Sequence, residues 1–210
     1  MNIINYVIPL GSQCFSSFFL KKNDLKKTSY PFDWIFSSPK VIMDILDDKF
    51  KNFLNKNYYV IKDIHSTNNK HLLYLPNLMM FNHRNPYKEE DYLYYKRCVN
   101  RFYKVLDKKE KKLFILTSLK NEINNELENI CLLNNKLSYL TSNYILIAIF
   151  QICTGTQSKD IYEHENMIII QITTISESDG VVFLDELDNI YYKNIIDSLF
   201  EFKLKNVDDL

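Results

Sequence analysis

Cys14 is the residue of this chain whose position most strongly suggests chemistry. It follows an apolar run over residues 3–10 that predicts a buried strand, and aromatic residues at helical spacing come directly after it. A helix N-terminus offers backbone N–H groups and the positive end of a dipole, which favour an anion. A thiol in that position is expected to ionise, and the thiolate is the reactive form of cysteine. The alternative interpretation is a small buried hydrophobe, the usual role of a free cysteine.

A cysteine nucleophile needs a base within hydrogen-bond reach, a group that orients the base, and donors for an oxyanion. His83 lies in an irregular segment and is the candidate base; the alternative is an ordinary loop histidine. Asp33 precedes a helix start, where it either orients His83 or caps a turn. The turn Gly11-Ser12-Gln13, together with Cys14 itself, is the candidate source of backbone donors and of substrate contacts.

Three further side chains are candidates for substrate binding. Trp34 is the only tryptophan and is expected in the core or in a pocket wall. Arg97 and Arg101 are four residues apart on one face of a predicted helix. They either hold an anionic or sugar ligand or lie on a solvated face.

The elements that must position these residues follow from hydrophobic periodicity. Four near-continuous apolar runs predict buried parallel strands at residues 7–10, 112–116, 144–149 and 167–172. Five amphipathic patterns predict helices at residues 14–22, 39–54, 89–106, 122–133 and 189–202. This alternation predicts a single α/β domain over residues 1–210, with a doubly wound, mostly parallel sheet and helices on both faces. Residues 55–86 interrupt the alternation and predict an irregular insertion, the kind of segment that carries function.

The composition argues against several classes of function. The chain has 26 basic and 26 acidic residues and a formal net charge of +0, which argues against general nucleic-acid binding. Its four cysteines and four histidines show no metal-ligand spacing, so we expect neither a metal nor another cofactor. No apolar run is long enough to span a bilayer and no signal-peptide pattern is present, so we expect a cytoplasmic protein.

Three motifs together resemble a known family. They are Leu10-Gly11-Ser12-Gln13-Cys14, Ser29-Tyr30-Pro31-Phe32-Asp33-Trp34 and Phe81-Asn82-His83. They are similar to the putative papain-like cysteine peptidase family, a bacterial and large-virus domain of unknown function, over approximately residues 1–120. The resemblance implies that Cys14 and His83 form the catalytic pair. The chain departs from papain itself in two respects. Its glutamine, Gln13, is adjacent to the cysteine instead of several residues before it, and its predicted elements begin with a strand of the sheet instead of a helix.

We therefore expect a cysteine-nucleophile hydrolase, either a peptidase or an acyl hydrolase or transferase, with a small-molecule, peptide or glycan-linked substrate. The segment Pro31–Trp34 is expected beside the Cys14 turn, as one wall of the main pocket. An esterase of the SGNH type would need an Asp-x-x-His motif near the C-terminus, and Asp185–Asp188 contains no histidine. A non-enzymatic domain that binds a glycan or phosphate is the other alternative, with Arg97 and Arg101 at the carboxyl edge of the sheet.

Overall fold

The computed structural model describes residues 2–60, 67–75, 78–120, 123 and 126–208. In chain order its strands are β1 Asn2–Ile4, β2 Tyr6–Pro9, β3 Tyr59–Val60, β4 Lys70–His71, β5 Lys112–Leu119, β6 Tyr144–Cys153, β7 Ser158–His164, β8 Met167–Thr174 and β9 Phe200–Phe202. Its helices are α1 Phe15–Lys22, α2 Pro39–Asp47, α3 Glu89–Leu106, α4 Leu127–Leu140 and α5 Glu186–Leu199. All four predicted strands are present.

The central sheet contains five strands in the order β2-β5-β6-β8-β7. Strands β2, β5, β6 and β8 run parallel, and β7 pairs antiparallel with β8 at the edge. The parallel strands are apolar along nearly their whole length because side chains on both faces of the sheet are covered. The mixed α/β class and the mostly parallel sheet are thus confirmed, while the doubly wound topology stays a prediction.

Two apolar clusters cover the two faces of the sheet. Helices α2, α3 and α4 pack on one face, where Phe102 meets the side of β5 that carries Phe114. Helices α1 and α5 pack on the other face, with Ile115 of β5 and Ile196 of α5 in the same cluster. Alternate residues of each strand therefore belong to different clusters, as the pleat of a strand requires.

Phe81 connects the described part of the predicted insertion, residues 55–86, to the rest of the fold. This residue is fully buried and forms isolated β-bridges with Ile35 and with Asn69. The bridge to Ile35 holds the segment that follows Phe81 next to the segment that contains Trp34. His65, which is expected from the sequence to be a solvated loop histidine of this insertion, lies outside the described residues.

Three predicted boundaries differ from the structure. Helix α2 ends at Asp47 instead of residue 54, because Lys49 and Phe50 adopt positive φ angles of 55° and 61°. Helix α5 begins at Glu186, where the Asp185 side chain accepts a hydrogen bond from the Leu187 N–H group. It ends at Leu199, and the chain continues as β9.

Two other differences concern α4 and β7. Helix α4 starts at Leu127 and extends to Leu140, well beyond the predicted end at residue 133. Strand β7 was missed because it is an edge strand with mostly exposed, polar side chains, which leave no apolar signal. Within the described residues, no helix is both long and apolar enough to cross a membrane.

Candidate functional site

A tight turn at Gly11 and Ser12 joins β2 to α1. Both residues have positive φ, 78° and 81°, which glycine adopts cheaply and serine does not. Ser37 holds the turn, because its Oγ accepts a hydrogen bond from the Ser12 N–H group at 3.0 Å and donates one to the Leu10 carbonyl at 3.2 Å. A Cβ atom on Gly11 would overlap the Oγ of Ser37. These contacts therefore fix the backbone conformation of the turn, and the turn places Cys14 at the start of the helix.

Cys14 is the N-cap residue of α1, as predicted. Within the described residues, no side chain caps this helix end. The N–H groups of the first helical turn and the positive end of the helix dipole thus lie beside the thiol. These are the donors that an oxyanion next to Cys14 requires.

The structure brings Cys14 and His83 together. The Sγ of Cys14 lies 3.0 Å from the Nε2 of His83, although 69 positions separate the two residues in the chain. Cys14 is only 2% exposed, whereas His83 is exposed. The Trp34 ring contacts the imidazole edge to face, with ring centroids 5.2 Å apart. His83 therefore contacts both the thiol and the indole.

Burial raises the pKa of the Cys14 thiol, and a hydrogen bond with the Asn82 side chain opposes this shift without cancelling it. The sequence predicts a thiolate at this position, and the structure instead favours a neutral thiol. The reason is that burial of the sulfur disfavours the charged thiolate more than the Asn82 hydrogen bond favours it. A neutral thiol beside an imidazole can still react, because the imidazole can accept the proton during attack.

Asp33 does not contact His83. Its carboxylate is buried and forms an ion pair with the Nζ of Lys26, and its carbonyl accepts a hydrogen bond from the Ser17 Oγ. Burial raises the pKa of Asp33, and the charge of Lys26 opposes that shift. The contacts of Asp33 thus tie the segment before Trp34 to α1, and none of its hydrogen bonds within the described residues reaches the imidazole.

Gln13 packs against the loop between β8 and α5. Gly180 in this loop has a φ of 96°, and a Cβ atom there would lie 2.8 Å from the Oε1 of Gln13. This contact places the loop before α5, which is distant in the chain, against one side of the Cys14 turn. Neither Gly180 nor the turn-holding Ser37 was identified from the sequence, because each acts through a long-range contact that leaves no local pattern.

The two candidate arginines lie elsewhere. Arg97 is exposed on α3. Arg101 forms an ion pair with Asp208, with its Nε 3.2 Å from the Oδ2, and so joins α3 to the C-terminal segment. The cations that line a cleft together with Trp34 are different residues, namely Lys21, Lys26, Lys27 and Arg84. No group of three potential metal-ligating side chains occurs within the described residues.

Comparison with known proteins identifies a family that the chain matches. A family model described as putative papain-like cysteine peptidase matches residues 5–151. The match includes both members of the Cys14–His83 pair and extends beyond the residues that carry the resemblance in sequence. No curated protein and no solved structure matches the chain.

Proposed function

Since its match to the family model spans residues 5–151, the chain belongs to the putative papain-like cysteine peptidase family, and we propose that it is a cysteine peptidase with Cys14 as nucleophile and His83 as general base. The 3.0 Å distance between Sγ and Nε2 is the observation that carries this proposal. A thiol and an imidazole at that distance meet the geometric requirement for proton transfer.

The proposed reaction starts from the neutral pair. As the Sγ of Cys14 forms a bond to the carbonyl carbon of the substrate, the Nε2 of His83 takes the thiol proton. The resulting imidazolium then donates this proton to the leaving amine nitrogen as the peptide C–N bond breaks. A water molecule next attacks the thioester carbon while the Nε2 of His83 takes a proton from it. The C–S bond then breaks, the imidazolium returns the proton to the Sγ of Cys14, and the acid product leaves the restored neutral pair.

The negative charge that develops on the carbonyl oxygen needs donors that are already in place. The N–H groups at the start of α1 are the proposed donors, since within the described residues no side chain caps this helix end. The Gly11–Ser12 turn supports this role because its fixed backbone leaves little freedom at the helix start.

The imidazole has no carboxylate partner within the described residues, so another group must orient it. Trp34 is the proposed positioning residue, because its edge-to-face contact limits rotation of the His83 ring. Asp33 then supports the site indirectly, by holding the adjoining segment through Lys26.

An acyl hydrolase or transferase would use the same pair, and the bond cleaved distinguishes these activities from a peptidase. A non-enzymatic anion-binding domain is the remaining alternative. Of the two arginines that it would use, Arg101 is paired with Asp208, which does not favour a ligand there.

A peptide-digestion experiment tests the proposal. The purified protein and its Cys14→Ala variant are incubated with a complex mixture of peptides, and new termini are identified by mass spectrometry. We expect cleavage by the wild-type protein and none by Cys14→Ala, while Cys153→Ala, which removes an exposed cysteine, retains it. If no peptide is cleaved by the wild-type protein and spared by Cys14→Ala, the peptidase proposal is wrong.

A further inference from the structure

A cleft of about 310 Å³ opens beside Trp34, and its lining is strongly basic. We call it the basic cleft and define it by its lining residues, which are Lys21, Lys26, Lys27, Thr28, Ser29, Trp34, Arg84 and Tyr94. Four of these eight residues carry a positive charge and none carries a negative charge. A lining of this kind attracts an anion.

The charges of the basic cleft are only partly neutralised by neighbouring carboxylates. Lys26 is paired with the buried Asp33, and Arg84 is paired with Asp91 at 2.7 Å. Lys21 and Lys27 are exposed, and within the described residues neither forms an ion pair. Two positive charges therefore remain available to a ligand in a chain whose formal net charge is +0.

One cation of the basic cleft is held in a fixed position. The Arg84 guanidinium lies over the Tyr94 ring, 3.7 Å from its centroid, while its Nη1 bonds to Asp91. Tyr94 and Trp34 supply aromatic surface against which the apolar part of a side chain can pack. The basic cleft thus combines two exposed lysines without ion-pair partners within the described residues with a fixed arginine and two aromatic side chains.

The basic cleft adjoins the Cys14–His83 pair. Trp34 belongs to both, since its ring contacts the His83 imidazole and also lines the basic cleft. Arg84 directly follows His83 in the chain. Lys21 lies seven residues after Cys14 on α1, which is two turns along the same helix face and a rise of about 10 Å. A substrate bound at Cys14 can therefore reach the basic cleft.

We propose that the basic cleft binds an anionic side chain of the peptide substrate, about three residues from the bond that is cleaved. The spacing follows from the rise between Cys14 and Lys21, since an extended peptide advances about 3.3 Å per residue. The anion is a carboxylate of Asp or Glu, or the phosphate of a modified Ser, and the same two lysines serve either. This inference rests on the proposed peptidase function and assigns its substrate class.

Binding by the inactive Cys14→Ala variant tests the assignment without requiring cleavage. Trp34 is the only tryptophan and lines the basic cleft, so its fluorescence reports an occupied site. Hexapeptides that are identical except for one Glu, phosphoserine, Gln or Lys are titrated into the protein, and inorganic phosphate is titrated alone. The same series is repeated with Lys21→Gln/Lys27→Gln and with a matched double variant, Lys51→Gln/Lys159→Gln, at two exposed lysines outside the basic cleft.

We expect the Glu or the phosphoserine peptide to bind about tenfold more tightly than the Gln peptide, with a preference that weakens as salt is added. Lys21→Gln/Lys27→Gln should abolish this preference, and Lys51→Gln/Lys159→Gln should retain it. An unchanged melting temperature shows that both double variants are folded. Which anionic peptide binds more tightly identifies the source of the charge.

Three results would overturn the assignment. They are equal affinity for the Glu, phosphoserine and Gln peptides, an anion preference that survives Lys21→Gln/Lys27→Gln, and binding of inorganic phosphate that peptides do not displace. The last result would make the cleft a free-anion site. Because these measurements use Cys14→Ala, they are independent of peptide cleavage by the wild-type protein, so failure of the assignment and failure of the peptidase proposal are separately visible.

Discussion

Replacing His83 by Asn removes the proposed base but keeps a polar side chain above the thiol. An ordinary thiol with a pKa of about 8.5 is roughly 3% thiolate at pH 7. Burial raises the pKa of Cys14, so its own thiolate fraction is smaller still. Reaction of Cys14 near neutral pH must therefore depend on proton transfer to the Nε2 of His83, 3.0 Å away. A positioned base contributes about 100-fold or more, which corresponds to about 2.7 kcal/mol.

The assay is limited alkylation with iodoacetamide, followed by quantification of each cysteine-containing peptide by mass spectrometry. Cys153 is exposed and serves as the reference thiol within the same molecule. At pH 7 we expect His83→Asn to lower the ratio of Cys14 to Cys153 labelling about 100-fold. His164→Asn is the matched control, because His164 is an exposed histidine at the end of β7.

The pH profile adds a second readout. Without the base, Cys14 reacts only as thiolate, so its labelling in His83→Asn should rise with pH beyond the range of an ordinary thiol. The reasoning is refuted if His83→Asn leaves the ratio at pH 7 unchanged, or if His164→Asn lowers it equally.

Three further predictions concern the framework of the site. Asp33→Asn breaks a buried ion pair and should lower the free energy of unfolding by about 3 kcal/mol. Because Asp33 acts on the site only through the segment that it holds, the Cys14-to-Cys153 labelling ratio should fall far less than the roughly 100-fold expected for His83→Asn. An equal fall in folded protein would make Asp33 part of the catalytic machinery. Gly11→Ala should lower the free energy of unfolding, measured in urea, by about 1–3 kcal/mol more than Gly155→Ala does. Both glycines have positive φ, but of these two only Gly11 has a neighbouring atom that an added Cβ would overlap. Equal losses would show that the turn can adjust to the added methyl group. Burial raises the pKa of Asp188, but hydrogen bonds from Gln157, Ile175 and Ser176 outweigh it and lower the pKa below its ordinary value. The contribution of Asp188 to stability is therefore present above about pH 3.9 and is lost as the pH falls through the lowered pKa. Asp188→Asn should flatten this acid limb in unfolding curves measured across pH, and an unaltered limb would exclude Asp188 as its source.

The elements of this fold could be predicted because their signals are local. The near-continuous apolar runs give the buried strands, and the amphipathic pattern gives α3 with its predicted bounds, Glu89–Leu106. The break in periodicity after residue 10 likewise places Cys14 at the start of α1. Each of these features depends on residues within a few positions of one another, so the printed sequence contains them.

The chemistry of the site was decided by contacts between distant segments. The Phe81–Ile35 bridge joins the insertion to the segment of Trp34 and so places His83 over Cys14. The same packing buries the thiol and raises its pKa, against the thiolate that its helix position predicts.

The ion-pair partners of the charged residues were also decided by the tertiary structure. The sequence offers Asp33 as an orienting group and Arg101 as a ligand-binding group, whereas Lys26 and Asp208 engage them in ion pairs. The basic cleft likewise draws its cations from α1, from the segment after it and from the insertion. Local periodicity specifies which face of an element is buried. An ion pair, in contrast, depends on distances of a few ångströms between segments that are far apart in the chain, so it forms only after several elements have packed together.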